Sequence, residues 1–216
     1  TGGLGFIGRW LKPELEGAGY EVVGVDRMDG DISLPGIFDA LADRHRPDIV
    51  VHLAAKAGVL WCEENPAEAI QNNALSTLYV AKACQRLGAR LVFASSSEVY
   101  GEQDVSRENG PVFPKTIYGT LKVMEEHICK LYALKGLLIL RISMPYGPFW
   151  EGPTSIRKIR HRGAIINFLW QGLHRMPMPV HEGARRSLCW IGDVVRAIRM
   201  LMEQNRVGIW NIGRDD

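Results

Sequence analysis

The stretch that decides the fold is Thr1–Gly8, TGGLGFIG, in which half of the residues are glycine. Its glycines fit two spacings: G-x-G-x-x-G counted from Gly3, and G-x-x-G-x-x-G counted from Gly2. Both spacings let a backbone turn tightly and bring its N–H groups against a pyrophosphate at a helix N-terminus. Taken alone, the cluster also fits a tight turn between two packed elements. The surrounding sequence has to decide between these interpretations.

Helical and strand-like patterns alternate along the chain behind this turn. Helices are predicted over residues 5–17, 34–46, 66–86 and 113–134, and strands over residues 21–26, 48–54, 89–94 and 136–142. This alternation predicts an α/β fold, a Rossmann-type doubly wound parallel sheet with helices on both faces. The glycine turn of such a fold follows its first strand, so we expect that strand to be missing before Thr1.

The character of the sequence changes after residue 148. We predict an NAD-binding Rossmann domain over residues 1–148 with its first strand missing. Residues 149–216 are expected to be mainly a smaller substrate-binding region that partly returns to the Rossmann domain and is truncated at its C-terminus. Within it, residues 149–163 are rich in glycine, proline and basic side chains and predict a loop or lid. The predicted elements that follow are a helix over 165–173, short strands near 179–181 and 186–191, a helix over 193–203 and a strand over 208–212.

Composition narrows the function classes. The 216 residues carry a net charge of +2, which is too small to favour nucleic acid or an anionic membrane as a partner. Four cysteines lie far apart, without a C-x-x-C pair or a zinc-like spacing, and therefore predict reduced thiols in a cytoplasmic protein. The six histidines show no H-E-x-x-H motif, so no metal site is expected.

An acidic residue accompanies the glycine turn. Asp26 ends the predicted strand over 21–26 and lies 18 residues after Gly8. A carboxylate at this place accepts hydrogen bonds from a ribose diol and repels the extra phosphate of NADP. The expected cofactor is therefore NAD, although the positive charge of the neighbouring Arg27 would favour the extra phosphate of NADP.

Two further stretches carry candidate chemistry. SSSEVYG (Ser95–Gly101) lies at the carboxyl end of a predicted parallel strand, where open α/β sheets bind their ligands. YGTLK (Tyr118–Lys122) places a tyrosine and a lysine on one face of a predicted helix. The Lys122 ammonium and a positively charged nicotinamide are expected to favour the Tyr118 phenolate as a base, with Ser96 holding the same substrate hydroxyl.

These motifs together resemble the extended short-chain dehydrogenase/reductases, and among them the NAD-dependent nucleotide-sugar epimerase/dehydratase family. The similar stretches run in the family's order across the whole chain: TGGLGFIG, VVGVD, VVHLAA, NNALSTL, FASSSEVYG, YGTLK, RISMPYGP, RRSLCWIGDV and IWNIG.

The resemblance implies roles for individual residues. The implied cofactor-binding residues are Gly2, Gly5, Phe6, Ile7, Gly8, Asp26, Arg27, Asp31, Ile32, Leu53, Ala54, Ala55, Asn73, Ala94, Tyr118 and Lys122. The implied catalytic residues are Ser96, Glu98, Tyr118 and Lys122, and the implied substrate-binding residues are Ser96, Ser97, Asn167 and Arg186.

The resemblance leaves the reaction open. Oxidation of a hexose, at C4, to a keto intermediate is expected first, and Glu98 then suits a dehydratase, although some epimerases carry it too. The alternatives are a decarboxylase acting on nucleotide-linked glucuronic acid and a non-catalytic NAD-binding regulatory protein. Met144 stands where the family commonly has asparagine, so one usual substrate contact is missing. The implied partners are a nucleotide sugar, with UDP expected, and a second copy of the chain in a homodimer.

Overall fold

The computed structural model describes residues 1–103, 106–132, 136–148, 164–179 and 186–214. The predicted lid over residues 149–163, with its basic cluster, lies outside these ranges. So does most of the short strand predicted near residues 179–181.

Six strands are present in the described residues. They are β1 (Ile49–His52), β2 (Arg90–Ser96), β3 (Leu138–Ile142), β4 (Met144–Tyr146), β5 (Leu188–Trp190) and β6 (Gly208–Ile212). Four of them form one parallel sheet in the order β1-β2-β3-β6, and β4 pairs with β5 in a separate parallel ladder. The predicted α/β fold with a parallel sheet is confirmed.

The helices connect these strands. They are α1 (Phe6–Gly17), α2 (Ile37–His45), α3 (Val59–Glu64), α4 (Pro66–Ile70), α5 (Ser76–Leu87), α6 (Ile117–Tyr132), α7 (Ala164–Leu173) and α8 (Ile191–Glu203). A π-helical turn, Gln71–Leu75, joins α4 to α5 and makes one long helical stretch, as the pattern after Pro66 predicts. Among the described residues, no helix combines the length and the apolar character that crossing a membrane requires.

The core lies on both faces of the sheet because successive strand residues point to opposite sides. On one face, Leu138 and Leu140 of β3 pack in a cluster with residues of α1 and α8. On the other face, Ile139 packs in a cluster with residues of α2, α5 and α6. Strand β6 therefore extends the same sheet, and helix α8 covers the same face of it as α1, the helix that follows the glycine turn.

The predicted strand over residues 21–26 is wrong for the described structure. These residues form no sheet ladder, and the Gly3 N–H donates to the Val25 carbonyl oxygen over 3.2 Å. A cavity of about 400 Å³ lies between the segment 20–25 and β1. A segment becomes part of a sheet only through hydrogen bonds to a neighbouring strand, and β1 lies beyond this cavity. The expected first strand stays a prediction.

Candidate active site

The glycine turn fits closely against the end of β1. Gly2 adopts φ +73°, and a Cβ atom there would lie 2.8 Å from the backbone nitrogen of Ala54. A Cβ atom on Gly8 would collide with the Gly2 carbonyl and lie 2.9 Å from the Gly3 backbone. The Gly5 N–H donates to the Gly2 carbonyl oxygen over 3.0 Å. Because Gly2 and Gly8 leave no room for a side chain, backbone atoms form the surface of this loop, the glycine cradle, at these positions.

Helix α1 begins directly after this cradle. Gly5 is its N-cap residue, and neither a capping side chain nor an acidic residue occupies the first turn. The positive end of the helix dipole therefore faces the loop with no acidic residue in the helix's own first turn, which favours a bound anion. Phe6 and Ile7, which the family resemblance places at the cofactor, pack their side chains against the core cluster on this face of the sheet.

Asp26 lies at the far side of the cradle. Its carboxylate accepts the Leu4 N–H over 2.9 Å and the Arg27 N–H over 2.8 Å. The Arg27 guanidinium donates to the Asn72 side chain over 3.2 Å, which directs it across the cleft. The carboxylate is thus fixed beside the glycine turn, and its predicted role as the acceptor of a ribose diol stays a prediction.

A cleft of about 350 Å³ connects these groups. Its walls are Thr1, Gly2, Leu4, Gly5, Val25, Asp26, Arg27, Gly30, Asp31, Ile32, Ser33, Leu53, Ala54, Ala55, Lys56, Asn72 and Ser76. Most of the residues that the resemblance assigns to the cofactor lie in this list. Asp31 forms a turn, because its carboxylate accepts both the N–H and the hydroxyl of Ser33, and these hydrogen bonds lower its pKa.

Lys56 is a wall residue that the sequence reasoning missed. It follows VVHLAA at the carboxyl end of β1, so the rule that ligands bind at strand ends could have found it. The fully buried Asn73 holds its backbone from both sides, accepting the Lys56 N–H over 2.7 Å and donating to its carbonyl over 3.2 Å. Asn73 thereby fixes the cleft wall from behind rather than lining it.

The end of β2 presents the serine-rich loop. Strand β2 ends at Ser96, and residues Ser97–Val99 form one turn of 3₁₀ helix. The Ser96 hydroxyl accepts the Glu98 N–H over 3.2 Å and caps this turn. Gly119 of α6 packs against it so closely that a Cβ atom would lie 2.5 Å from the Glu98 carbonyl oxygen. The loop and the first turn of α6 are therefore held together.

A buried ion pair between Arg141 and Glu126 supports the loop that follows β2. Arg141 donates two hydrogen bonds to the Glu126 carboxylate, over 2.9 and 2.8 Å. Ser95 donates to the same carboxylate over 2.6 Å, and Arg141 also donates to the Tyr100 hydroxyl over 2.9 Å. Residues on both sides of Ser96–Glu98 are thus anchored to β3 and α6.

Tyr118 and Lys122 lie beside this loop on α6. Lys122 is buried and donates from Nζ to the Ala94 carbonyl oxygen over 3.0 Å and to Glu125 Oε2 over 2.9 Å. Its Nζ lies 5.8 Å from the centre of the Tyr118 ring. The Ser96 hydroxyl also reaches the Tyr118 hydroxyl and favours its ionised form. The structure therefore brings together the serine, tyrosine and lysine that the resemblance names as catalytic.

The expected ionisation of Tyr118 depends on Lys122 and a nicotinamide together, and the structure shows the contribution of Lys122. Burial raises the pKa of Tyr118 above its ordinary value, and the opposing effect of Lys122 does not overcome it. The negative charge of the nearby Glu125 carboxylate adds to the effect of burial. Lys122 alone is thus insufficient to form the phenolate in this state.

Two predicted substrate residues, and the departure from the family pattern at Met144, lie on other elements. Arg186 precedes β5 and places Nη1 3.9 Å from Glu98 Oε1. Met144 begins β4 and pairs with Leu188 of β5, so the departure from the family pattern lies in the ladder next to Arg186. Asn167 lies on the first turn of α7, and its role stays a prediction. In the described part of the chain, no group of three His, Cys, Asp or Glu side chains is arranged to hold a metal ion.

Comparison with known families identifies the group to which this arrangement belongs. The profile of the NAD dependent epimerase/dehydratase family matches residues 1–213. The chain belongs to this family. The parallel sheet, the glycine cradle and the Ser96–Tyr118–Lys122 cluster are thus features of an epimerase/dehydratase family member.

Individual relatives agree with this family assignment. UDP-glucuronic acid decarboxylase 1 of Arabidopsis thaliana is 30% identical over 239 residues, covering 99% of this chain and 53% of the relative. UDP-N-acetyl-alpha-D-glucosaminuronate decarboxylase of Bacillus cytotoxicus is 31% identical, covering 100% of this chain and 74% of the relative. This family member thus spans about half the length of the Arabidopsis protein.

A solved structure shows the same fold. The UDP-glucose 4-epimerase of Thermus thermophilus, crystallised with NAD, superimposes with a TM-score of 0.83 at 28% identity. The match covers 100% of this chain and 77% of the epimerase.

Proposed function

We propose that this chain is the NAD-binding part of an enzyme that oxidises a nucleotide-linked hexose, at C4, to a keto intermediate. The observation that carries the proposal is the Ser96–Tyr118–Lys122 cluster, which lies at the end of β2 beside the glycine cradle. When bound, NAD accepts a hydride from the sugar and later returns it. In this proposal Tyr118 takes the proton of the sugar hydroxyl, and Ser96 holds that hydroxyl in place.

The cradle supports NAD as the cofactor. Gly2 and Gly5 line the cleft beside the N-terminus of α1, where a pyrophosphate would bind, and Asp26 in the same cleft offers its carboxylate to a ribose diol. A phosphate on that ribose would meet the Asp26 charge, so NAD should bind more tightly than NADP. Calorimetry measures the affinities for NAD and for NADP, and Asp26→Ala should reduce the difference between them. Tighter binding of NADP to the unchanged protein would overturn it.

Glu98 supports a second step at the carbon next to the ketone. Its carboxylate is half-buried, lies on the same loop as Ser96 and has Arg186 as a neighbour at 3.9 Å. A carboxylate at this place can remove a proton for the elimination of water or the inversion of a centre. Dehydration and epimerisation are therefore the proposed outcomes.

Decarboxylation is the second candidate, and a specific observation favours it. The two curated relatives described above act, by name, on uronic acids, and Arg186 offers a guanidinium to a substrate carboxylate beside Glu98. Once a 4-keto group is present, the loss of carbon dioxide needs no base to remove a proton from the neighbouring carbon.

Mass spectrometry of the product separates these outcomes. The full-length protein with NAD is given UDP-glucose and UDP-glucuronic acid in deuterated water. Loss of the mass of water indicates dehydration, loss of the mass of carbon dioxide indicates decarboxylation, and deuterium uptake without loss indicates inversion at C3 or C5. Inversion at C4 changes neither mass nor deuterium content, and chromatographic separation of the product sugar detects it. If neither sugar produces reduced cofactor or a new product, the oxidation proposal fails.

Glu98→Gln sharpens this assay. Reduced cofactor should still form in a single turnover, while the dehydrated or inverted product should fall by about 100-fold, as expected for a lost acid/base group. An unchanged rate with Glu98→Gln would give that carboxylate a structural role.

We also propose a homodimer built on the long helices. Met124 and Leu131 of α6 are exposed and lie seven residues apart, on one face of the helix. Ile70 of α4 is exposed as well. Light scattering of the full-length protein at micromolar concentration should give the dimer mass, and a monomer would contradict the proposal.

The proposed location is the cytoplasm. All four cysteines, Cys62, Cys84, Cys129 and Cys189, are buried free thiols in the structure, which suits a reducing compartment.

A further inference from the structure

A buried carboxylate that the mechanism above does not use lies next to Lys122. Glu125 follows Lys122 by three residues on α6, and the two side chains are 1% and 3% exposed. Glu125 Oε2 accepts from Lys122 Nζ over 2.9 Å and from the Thr77 hydroxyl over 3.3 Å. Glu125 Oε1 is buried and has no hydrogen-bond partner among the described residues. A buried charge of this kind is costly unless its partner holds it.

We propose that Glu125 is the positioning residue of this active site: its carboxylate keeps the Lys122 ammonium charged and directed toward Tyr118. The catalytic meaning of this inference rests on the proposed function, whereas the contact itself does not. Two of the three ammonium hydrogens are used by Ala94 and Glu125, and these two bonds fix where the third points.

The groups that face this pair identify the source of its negative charge. Cys62 of α3 and Cys129 of α6 are nearby thiols whose pKa values are raised by burial, that of Cys62 to about 11, so they stay neutral. The negative charge of Glu63 on α3 also favours the neutral form of Cys62 and so helps to raise its pKa. The charge of Glu126, at the next position of α6, likewise helps to raise the pKa of Glu125. The carboxylate of Glu126 is itself engaged by Arg141.

The side of the pair that faces β1 is neutral as well. Burial lowers the pKa of His52 well below its ordinary value. Its Nε2 lies 3.1 Å from the Thr77 hydroxyl, and its Nδ1 lies 2.7 Å from the Thr1 hydroxyl. Since Thr77 donates to Glu125, it accepts from His52, which places the His52 proton on Nε2.

Burial raises the pKa of Glu125 against the opposing effects of Lys122 and Thr77, so the close 2.9 Å contact with Lys122 is what supports the charged pair. The pKa of Lys122 agrees with this geometry. Burial alone would lower it, but the Glu125 carboxylate and Tyr118 outweigh burial and raise it. Without the carboxylate, the ammonium would lose its proton at a lower pH, and the charge that supports the Tyr118 phenolate would be lost with it.

Nuclear magnetic resonance of lysine-labelled protein without cofactor tests the proposal directly. The Lys122 signal is assigned by its absence in Lys122→Met, and its titration is followed with pH. In Glu125→Gln the midpoint should fall by about one to three pH units, the usual effect of an opposite charge at close range. Glu126→Gln is the matched control, because it removes the neighbouring buried carboxylate and should leave the Lys122 midpoint in place.

An unchanged Lys122 midpoint in Glu125→Gln would overturn the proposal, and so would an equal fall in Glu126→Gln. If Glu125→Gln does not fold, Glu125→Asp takes its place. Its shorter side chain withdraws the carboxylate but keeps the charge, so a smaller fall is expected and an absent one contradicts the proposal.

The pH profile of turnover adds the functional reading. In Glu125→Gln the alkaline limb should move to lower pH, whereas a merely structural residue would lower the rate at all pH values alike. Because the titration uses no substrate, its result stands even if no nucleotide sugar is oxidised. The two proposals therefore fail separately.

Discussion

Two adjacent glutamates of α6 support two different ion pairs. Glu126 receives two hydrogen bonds from Arg141 and one from Ser95, so both of its oxygens are used. A single oxygen of Glu125 accepts the hydrogen bonds from Lys122 and Thr77. The first pair is a closed bidentate contact that anchors β2, β3 and α6. In the second pair, Lys122 Nζ lies 5.8 Å from the centre of the Tyr118 ring and 4.8 Å from the centre of the Phe93 ring.

The difference shows how one helix serves stability and chemistry at once. A fully satisfied buried pair is rigid, and its loss leaves an uncompensated charge in the core. A buried pair with an unused donor is poised to interact with something else. Each of the following predictions breaks or sharpens this division.

Tyr118→Phe breaks the chemical side, with the largest expected effect. Oxidation of the nucleotide sugar should slow by about 100-fold to 10,000-fold, because the base for the sugar hydroxyl is lost. Binding of NAD and the urea midpoint should change little, since the half-buried phenol serves neither the cradle nor the Arg141 pair. Single-turnover formation of reduced cofactor measures the loss, and a normal rate would remove Tyr118 from the mechanism.

Arg141→Met breaks the structural side. The Glu126 carboxylate would remain buried without its cation, which costs about 3–5 kcal/mol of unfolding free energy. Urea denaturation followed by circular dichroism measures this loss. A cost below about 1 kcal/mol, as for an exposed pair, would show that the pair is dispensable.

Tyr100→Phe sharpens the comparison. It removes a tyrosine hydroxyl, as Tyr118→Phe does, but the lost hydroxyl contacts the Arg141–Glu126 pair and not the proposed catalytic cluster. The Tyr100 hydroxyl accepts from Arg141 and donates to Asn211 over 2.7 Å. Its removal should cost about 1–3 kcal/mol of stability by leaving buried polar groups unpaired. Turnover by the folded protein should be kept, and a loss as large as that of Tyr118→Phe would abolish the distinction.

The response to acid gives the smallest effect. Burial would raise the pKa of Glu126, but hydrogen bonds from Arg141 and Ser95 overcome it and lower the pKa below the ordinary 4.5. This contribution to stability is therefore complete above the ordinary pKa and is lost as the pH falls through the lowered one. Between about pH 7 and about pH 3, the wild type should lose more unfolding free energy than Glu126→Gln. Equal losses in the two proteins would mean that protonation of Glu126 does not contribute to the loss of stability in acid.

The sequence predicted the local features correctly. The glycine spacing of Thr1–Gly8, the alternation of helix and strand and the four-residue separation of Tyr118 and Lys122 depend on short-range geometry. The predicted strand over residues 21–26 failed, because a strand exists only through its neighbours. The strand-end rule could have predicted Lys56 as a wall residue, whereas the hydrogen bonds by which Asn73 holds its backbone are visible only in the tertiary structure.

What the sequence alone determined is the set of groups that this chain offers: a backbone cradle for a pyrophosphate, an acid beside it, and a serine, a tyrosine and a lysine near one strand end. Only the tertiary structure decided which glutamate serves which cation. Glu125 and Glu126 are identical in type and adjacent in sequence, but successive helix residues point about 100° apart. That rotation turns one carboxylate toward Lys122 and the other toward Arg141 of β3, and no pattern along the chain contains the positions of those two neighbours.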